Sequence, residues 1–395
     1  MNLLFDCTEL SYFNEKSGHR AGVFYVALNL FKALKKAGVN ITFYCDFRRY
    51  YFMKDIEEFK DIPIVEEHSL MNKFFAYLLY KSDNLNIRIK HALLILSRFY
   101  DKYINQAKKV DVSNIEKFDA YFSPFTPPSK NIEDARIKKF RMIHDVIPIL
   151  EKGVSTSPID WHYRIYSTIN NRDFYLTNSD YTRVDVLKHF PFLNPTHVKT
   201  TLLAANEKFY PDKKDSDKYV FSLCTLGKRK NLLFGVRNFF KFIEENNIND
   251  LKLVLGGSVW KKFEKEFDVE LNKYDRSKIV LAGYIEEDDL RQYYSNAICF
   301  IYPSLYEGFG LPVLEAMKCG CPVITSDRSS LPEVIGNCGL IINPEDDSSM
   351  VEALKKMYFD EDFRNRCAQK GIVRSMTFSW DKCANEILKF IKDNI

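Results

Sequence analysis

Tyr302-Pro-Ser-Leu-Tyr-Glu307-Gly-Phe-Gly310-Leu-Pro-Val-Leu-Glu315-Ala-Met317 is the segment from which the rest of the chain can be read. The apolar run 297–302 reads as a strand that ends at Pro303. A loop then carries Glu307-Gly308-Phe309-Gly310, and a helix is expected over 311–318. Pro312 falls in its first turn, a favoured place for proline. Gly308 and Gly310 let the backbone approach a ligand closely. N–H groups at such a helix start can hold an anion such as a diphosphate. Glu307 stands in the loop and Glu315 about one turn into the helix, so both can face one ligand, one at each end. Carboxylates accept well from paired hydroxyls.

The same alternation of short apolar runs and helical patterns extends in both directions. Upstream, strands are expected at 2–5, 41–45, 120–123, 140–144 and 174–178, and a helix over 23–37 stopped by Gly38. Further strands are expected at 219–226, 252–256, 278–282, 322–325 and 339–342. The helices between them fall near 231–246, 259–272, 286–296, 348–358 and 380–393. Such βαβ alternation argues for parallel doubly wound sheets. The stretch 206–218 is polar and charged, contains Pro211, and reads as a linker. The chain therefore reads as two Rossmann-like domains, with ligands expected at the carboxyl ends of the strands. No GxGxxG follows any candidate strand, which argues against a dehydrogenase.

Composition narrows the class. At 395 residues the chain is long enough for two or three domains. Its 46% hydrophobic and 28% charged residues are ordinary for a globular protein. No apolar stretch approaches the ~18 residues needed to span a bilayer. Asp6 and Glu9 interrupt the first apolar run, so no secretory signal is expected and the location is expected to be cytoplasmic. Nine cysteines show no CxxC pair, which makes a disulfide scaffold or zinc module unexpected. The net charge of +4 is uneven: residues 1–200 hold 29 basic against 23 acidic side chains, residues 201–395 hold 28 against 30. The basic excess gathers at 71–109, where Lys73, Lys81, Arg88, Lys90, Arg98, Lys102, Lys108 and Lys109 face only Asp83 and Asp101. Apolar residues from Ile89 to Tyr103 recur at three and four, a helical spacing. Two readings stay open: a basic amphipathic helix pair on an anionic membrane surface, or a helical insertion that packs its apolar stripe on its own domain. No nucleic-acid motif accompanies the basic segment.

With these residues in place, 306–317 resembles the E-x7-E signature of family 4 retaining glycosyltransferases. Several other segments share the likeness. Leu226-Gly-Lys-Arg229-Lys230-Asn231 resembles the family's Arg-Lys-Asn segment, and Pro322–Val334 the strand and helix after the E-x7-E helix. Phe378-Ser-Trp380 and its helix resemble the element that returns to the first domain. In the first half, His144-Asp145-Val-Ile-Pro148, Arg20-Ala-Gly22-Val-Phe-Tyr25 and the serine-containing strand end Thr177–Thr182 are similar in patches. Cys224, where many members place glycine, is the main departure.

The resemblance implies the GT-B fold: an acceptor domain at 1–205 with a helical insertion near 70–110, completed by the C-terminal helix 376–395, then the linker 206–218. A nucleotide-sugar domain at 219–375 would face the first across a cleft. It implies that Glu315 holds the ribose hydroxyls and Glu307 the donor sugar. The backbone at Gly308, Phe309, Gly310 and Leu311 would meet sugar and diphosphate, and Arg229 and Lys230 would neutralise the leaving diphosphate. Tyr284 would lie near the base, Gly22 in a donor-side loop, and His144 near the sugar or acceptor. No cofactor and no metal are expected, since the cations would replace a divalent ion. The implied partners are a nucleotide sugar and a lipid-linked oligosaccharide acceptor of O-antigen or capsule type, at the inner membrane surface. A nucleotide-sugar epimerase or glucan synthase of the same fold, and a non-catalytic nucleotide-sugar-binding scaffold, are the alternatives.

Overall fold

The computed structural model describes residues 1–13, 22–65, 70–82, 87–100, 113–152, 161–214, 218–223, 227–257 and 261–395. Arg20, Ala21, Lys102, Tyr103, Lys108, Lys109 and the Cys224–Leu226 departure lie outside them. By contacts the chain divides into two units. The first takes Met1–Thr177, Val186–Thr201 and Trp380–Ile395; the second takes Asn178–Asp185 and Leu202–Ser379.

The first unit is built on β1 (Asn2–Asp6), β2 (Asn40–Tyr44), β3 (Ala120–Ser123), β4 (Lys138–Ile143), β5 (Phe174–Thr177) and β6 (Val198–Thr200). They form one parallel sheet in the order β2-β1-β3-β4-β5-β6. β3 and β5 are buried along their whole length, as strands covered on both faces must be. The helix Gly22–Lys36 buries Phe24, Leu30, Phe31 and Leu34. The chain leaves it through Gly38, whose φ of +79° suits glycine. The C-terminal helix Trp380–Lys392 buries Ile387, Leu388, Phe390 and Ile391. It packs beside the Gly22–Lys36 helix, with Lys36 bridged to Asp381 at 2.6 Å. Phe390 sets its edge against Phe140 and Phe174, which stack on each other 4.9 Å apart.

The second unit repeats the plan with β7 (Tyr219–Leu223), β8 (Lys252–Gly256), β9 (Ile279–Gly283), β10 (Cys299–Tyr302), β11 (Val323–Ser326) and β12 (Leu340–Ile342). Its order is β12-β11-β10-β7-β8-β9, again all parallel. The order reverses direction between β7 and β10, and their carboxyl ends lie side by side. A ligand site is expected at such a switch point.

Several segments differ from their sequence reading, among them the three-residue β6, where no strand was expected. The polar stretch expected as a linker is pinned to the second unit over 206–214. Phe209 is buried, the Asp212 N–H donates to Ser295 Oγ, and the Lys214 N–H donates to Asn296 Oδ1. The helix Glu361–Ser375 was not expected, because its buried positions are only Cys367, Gly371 and Ser375, too thin a stripe to show a period. The eight described cysteines are all free and buried.

Candidate functional site

Two loops meet at the carboxyl ends of β7 and β10. After β7, Lys228–Lys230 form a short helical turn, and Asn231 takes a left-handed conformation at φ 52°. That single residue turns the chain into the helix Leu232–Glu245, and its side chain donates to the Pro344 carbonyl at 2.8 Å. After β10 runs the loop 303–310. The loops are tied through Arg229: its carbonyl accepts from the Leu305 N–H at 2.8 Å. Its guanidinium donates to the Tyr306 carbonyl.

Glu307 is the centre of the arrangement and is 8% exposed. Lys230 Nζ lies 2.7 Å and Arg229 Nη1 3.0 Å from its Oε1. Ser304 Oγ and the Tyr302 hydroxyl donate to the same oxygen at 2.6 and 3.0 Å. Lys230 also reaches the Tyr302 hydroxyl at 2.6 Å. These contacts converge on Oε1, and Oε2 is the oxygen they leave. Burial alone would raise this carboxyl. The charges of Lys230 and Arg229, with the hydrogen bonds from Lys230 and Ser304, overcome it and hold the group below the usual carboxylate range. Two cations against one carboxylate leave a surplus of one positive charge.

The loop backbone is held from behind. The Glu307 N–H donates to Ser329 Oγ at 2.8 Å, and Ser330 Oγ donates to the carbonyls of Glu307 and Phe309. Ser179 Oγ and Thr182 Oγ1 both donate to the Gly308 carbonyl, at 2.6 and 3.0 Å. Tyr306 donates its hydroxyl to Asp185. Gly310 sits at φ +104°, and a Cβ there would lie 2.7 Å from Leu331 Cδ2. The helix Leu311–Lys318 starts at once, with Pro in its first turn. The Leu311 N–H is one of the amides that a helix start leaves for other acceptors.

Glu315 lies on that helix and receives the hydroxyl of buried Tyr294 on Oε2 at 3.1 Å. Burial pushes its carboxyl up to about 7; the Tyr294 hydrogen bond opposes this and the Glu287 charge adds to it. The single hydroxyl stabilises the anion far less than the cations do at Glu307. The two glutamates thus sit in opposite electrostatic settings.

The structure brings together Arg229, Lys230, Glu307, Gly308, Phe309, Gly310, Leu311 and Glu315 on two adjoining loops and one helix. Tyr284 stands apart from this group in the sheet, after Gly283 at the carboxyl end of the edge strand β9, and is 43% exposed. Gly22 and His144 belong to the first unit. Gly22 opens the helix Gly22–Lys36, and a Cβ there would meet open space. His144 follows β4 with Nε2 2.7 Å from the Pro124 carbonyl. A carbonyl only accepts, so Nε2 carries the proton. Burial lowers this imidazole to about 4, against the pull of that hydrogen bond, so it is neutral at pH 7. Sequence reasoning assigned no role to Tyr302, Ser304, Ser329, Ser330, Ser179, Thr182 or Tyr294. For the serines and the threonine among them, the sequence trace is the run of small hydroxyl residues at strand ends. Among the described residues no cluster of His, Cys, Asp and Glu is arranged to hold a metal ion.

Residues 205–374 match the family profile described as "Glycosyl transferases group 1". An "O-antigen chain mannosyltransferase B" of Escherichia coli is 28% identical over 242 residues, 58% of this chain and 62% of that protein. An N-acetylgalactosaminyltransferase of Campylobacter jejuni, named for a diphospho-undecaprenol-linked acceptor, is 28% identical over 228 residues, 55% of this chain and 60% of that protein. The chain thus spans about three fifths of the length of each of these relatives. Among solved structures, the sucrose-phosphate synthase of Thermosynechococcus elongatus superposes with a TM-score of 0.70 at 16% identity, over 100% of this chain and 98% of that one. At that identity the likeness concerns the fold, which is GT-B.

Proposed function

We propose, from the premise that residues 205–374 are a group 1 glycosyl transferase domain, that the chain is a retaining glycosyltransferase. It moves a hexose-type sugar from a nucleoside-diphosphate sugar to a hydroxyl of a growing surface glycan of O-antigen or capsule type. The acceptor is lipid-linked, and the enzyme works without a metal at the inner face of the membrane. The relatives named above support the glycan class, and the Campylobacter protein's acceptor supports the lipid link.

The observation that carries the reading is Glu307, held ionised by Arg229 and Lys230 beside the start of the helix that bears Glu315. The Glu307 carboxylate accepts hydroxyls of the donor sugar. Arg229, Lys230 and the Leu311 helix start take the diphosphate. Positive charge there grows more valuable as the glycosidic bond breaks and negative charge gathers on the leaving phosphate. Glu315 accepts from the ribose hydroxyls and fixes the nucleotide. Ser179, Thr182, Ser329 and Ser330 hold the intervening peptides, so the loop meets the donor already formed. The departing phosphate itself serves as base for the acceptor hydroxyl.

The test is a melting panel of ADP, GDP, UDP, dTDP and CMP with chelator present, on wild type and Glu315→Ala. A nucleotide at about 100 times its dissociation constant stabilises by roughly 2.7 kcal/mol. One diphosphate is expected to stabilise wild type and not the variant. No shift with any of them, in a folded protein, overturns the donor site. With the donor known, the anomeric signal of the product by NMR is expected to keep the donor's configuration; inversion overturns the retaining assignment, and product formed without acceptor points to an epimerase.

A further inference from the structure

The basic segment of the first unit folds into two helices, Leu70–Lys81 and Ile87–Tyr100. They pack on each other, with the rings of Phe75 and Tyr100 5.2 Å apart. Tyr77 and Tyr80 meet Tyr51 and Phe52 of the same unit. Both helices bury some apolar side chains, Ala76 and Leu79 on the first and Tyr100 on the second, yet turn other large apolar groups outward. Asn72, Ser82 and Ser97 are buried, each with at most 5% of its surface exposed. Met71, Phe74 and Tyr77 on one helix, and Ile89, Leu96 and Phe99 on the other, are between 47% and 59% exposed. Positions 89, 92, 96 and 99 form one stripe at helical spacing, and all four are exposed. Of the apolar positions expected to pack on their own domain, Tyr100 is buried and Leu93 half-buried, while Ala92, Leu96 and Phe99 are exposed, so that expectation is met only in part. The surface carries large apolar groups that monomeric proteins in water rarely gather.

Charge says what covers it. The two helices contain five Lys and Arg residues, Lys73, Lys81, Arg88, Lys90 and Arg98, and no Asp or Glu. Of these, Lys81 and Arg88 are exposed, and no carboxylate of either helix is there to meet them, so a second copy of this chain on the same face would set like charges against each other. An anionic lipid surface attracts the cations and accepts the apolar side chains between its acyl tails. No described helix is long and apolar enough to cross a membrane, so the contact is with its surface.

We propose that the helix pair Leu70–Lys81 and Ile87–Tyr100 is a membrane-docking surface that inserts Phe74, Ile89, Leu96 and Phe99 into an anionic leaflet. This deepens the lipid-linked-acceptor reading by assigning the membrane contact to a surface, but its test does not depend on transfer. The full chain is sedimented with vesicles of phosphatidylcholine alone, or with about 30% phosphatidylglycerol, in about 0.1 M salt. Binding to the anionic vesicles is expected, at least about tenfold tighter than to the neutral ones. Phe74→Asn with Leu96→Asn, and separately Lys81→Glu with Arg88→Glu, are each expected to weaken it about tenfold. Both variants should keep the wild-type melting temperature, nucleotide affinity and rate on a short soluble acceptor. Absence of binding to either vesicle overturns the inference, as does equal binding to both. A solution dimer that Phe74→Asn/Leu96→Asn dissolves, without vesicle binding, overturns it in favour of a second copy. Loss of donor turnover with vesicle binding intact would overturn the transferase reading and leave this one standing.

Discussion

Glu307 and Glu315 carry the same functional group eight positions apart, and their surroundings give them opposite charge behaviour. Glu307 is ionised across the neutral range because two cations and two hydroxyls hold its anion. Removing one cation leaves a buried anion less compensated. Lys230→Ala is expected to cost about 2–4 kcal/mol in urea unfolding and to lower turnover at least about a hundredfold. Lys230→Met with Glu307→Gln should recover much of that stability and none of the activity, which separates packing from chemistry. Glu315 titrates near neutrality, with its carboxyl pushed to about 7 by burial. Ribose hydroxyls need the anion as acceptor, so donor binding should release a proton. The dissociation constant for a nucleoside-diphosphate sugar, whose pyrophosphate does not titrate in this range, should be about tenfold weaker at pH 6 than at its plateau above pH 8. Titration calorimetry of wild type and Glu315→Gln checks this, since the variant should lose the slope. The sign for stability is opposite. A carboxyl raised in the folded state contributes below its unfolded value of about 4.5, and that contribution is lost as the pH rises through about 7.

Elements position these groups by exact turns of backbone. Asn231 and Gly310 each sit at positive φ immediately before a helix, one after β7 and the other after β10. Asn231 is among the side chains that tolerate the left-handed region, whereas Gly310 has no room for a Cβ against Leu331. Gly310→Ala is therefore expected to lose about 1–3 kcal/mol. It should also weaken nucleotide binding, because Leu311 and the amides of its helix move with the turn; calorimetric unfolding and a nucleotide titration read the two effects. Asn231→Gly should be nearly neutral, while Asn231→Val should cost about 1–2 kcal/mol. Behind both turns lies a layer of hydroxyls from Ser179, Thr182, Ser329 and Ser330 on the carbonyls and N–H of 307–309. These serine and threonine side chains fix peptide planes, and their absence would leave the loop unfixed rather than unmade.

At the scale of the molecule, chain order and spatial unit part company twice. The last helix returns to the first sheet, where Phe390 closes the stack of Phe140 and Phe174. Phe390→Ala is expected to cost about 3–5 kcal/mol. In scanning calorimetry it should lower the transition of the first unit, while the transition raised by nucleotide, that of the second unit, stays in place. Residues 178–185, directly after β5, pack with the second unit on Gly308, Tyr306 and Glu333. The order of elements along the chain did not indicate that exchange.

All the described strands but the three-residue β6, most helices and the loop bearing Glu307 and Glu315 were legible in the sequence. Each follows from spacing within a few residues: apolar runs of four or five, a stripe at three and four, a proline at a helix start, glycines in a turn. Local sterics and burial act at that range, so a short window contains the cause. What the tertiary structure alone decided depends on partners far along the chain. Lys230 reaches Glu307 across 77 positions, and Ser179 reaches Gly308 across 129. The pairing of both cations with one carboxylate, the single hydroxyl on Glu315 and the outward turn of Phe74 and Leu96 arise in the same way. Periodicity tells which residues share a helix face; only the packing of neighbouring elements determines whether that face meets protein or solvent.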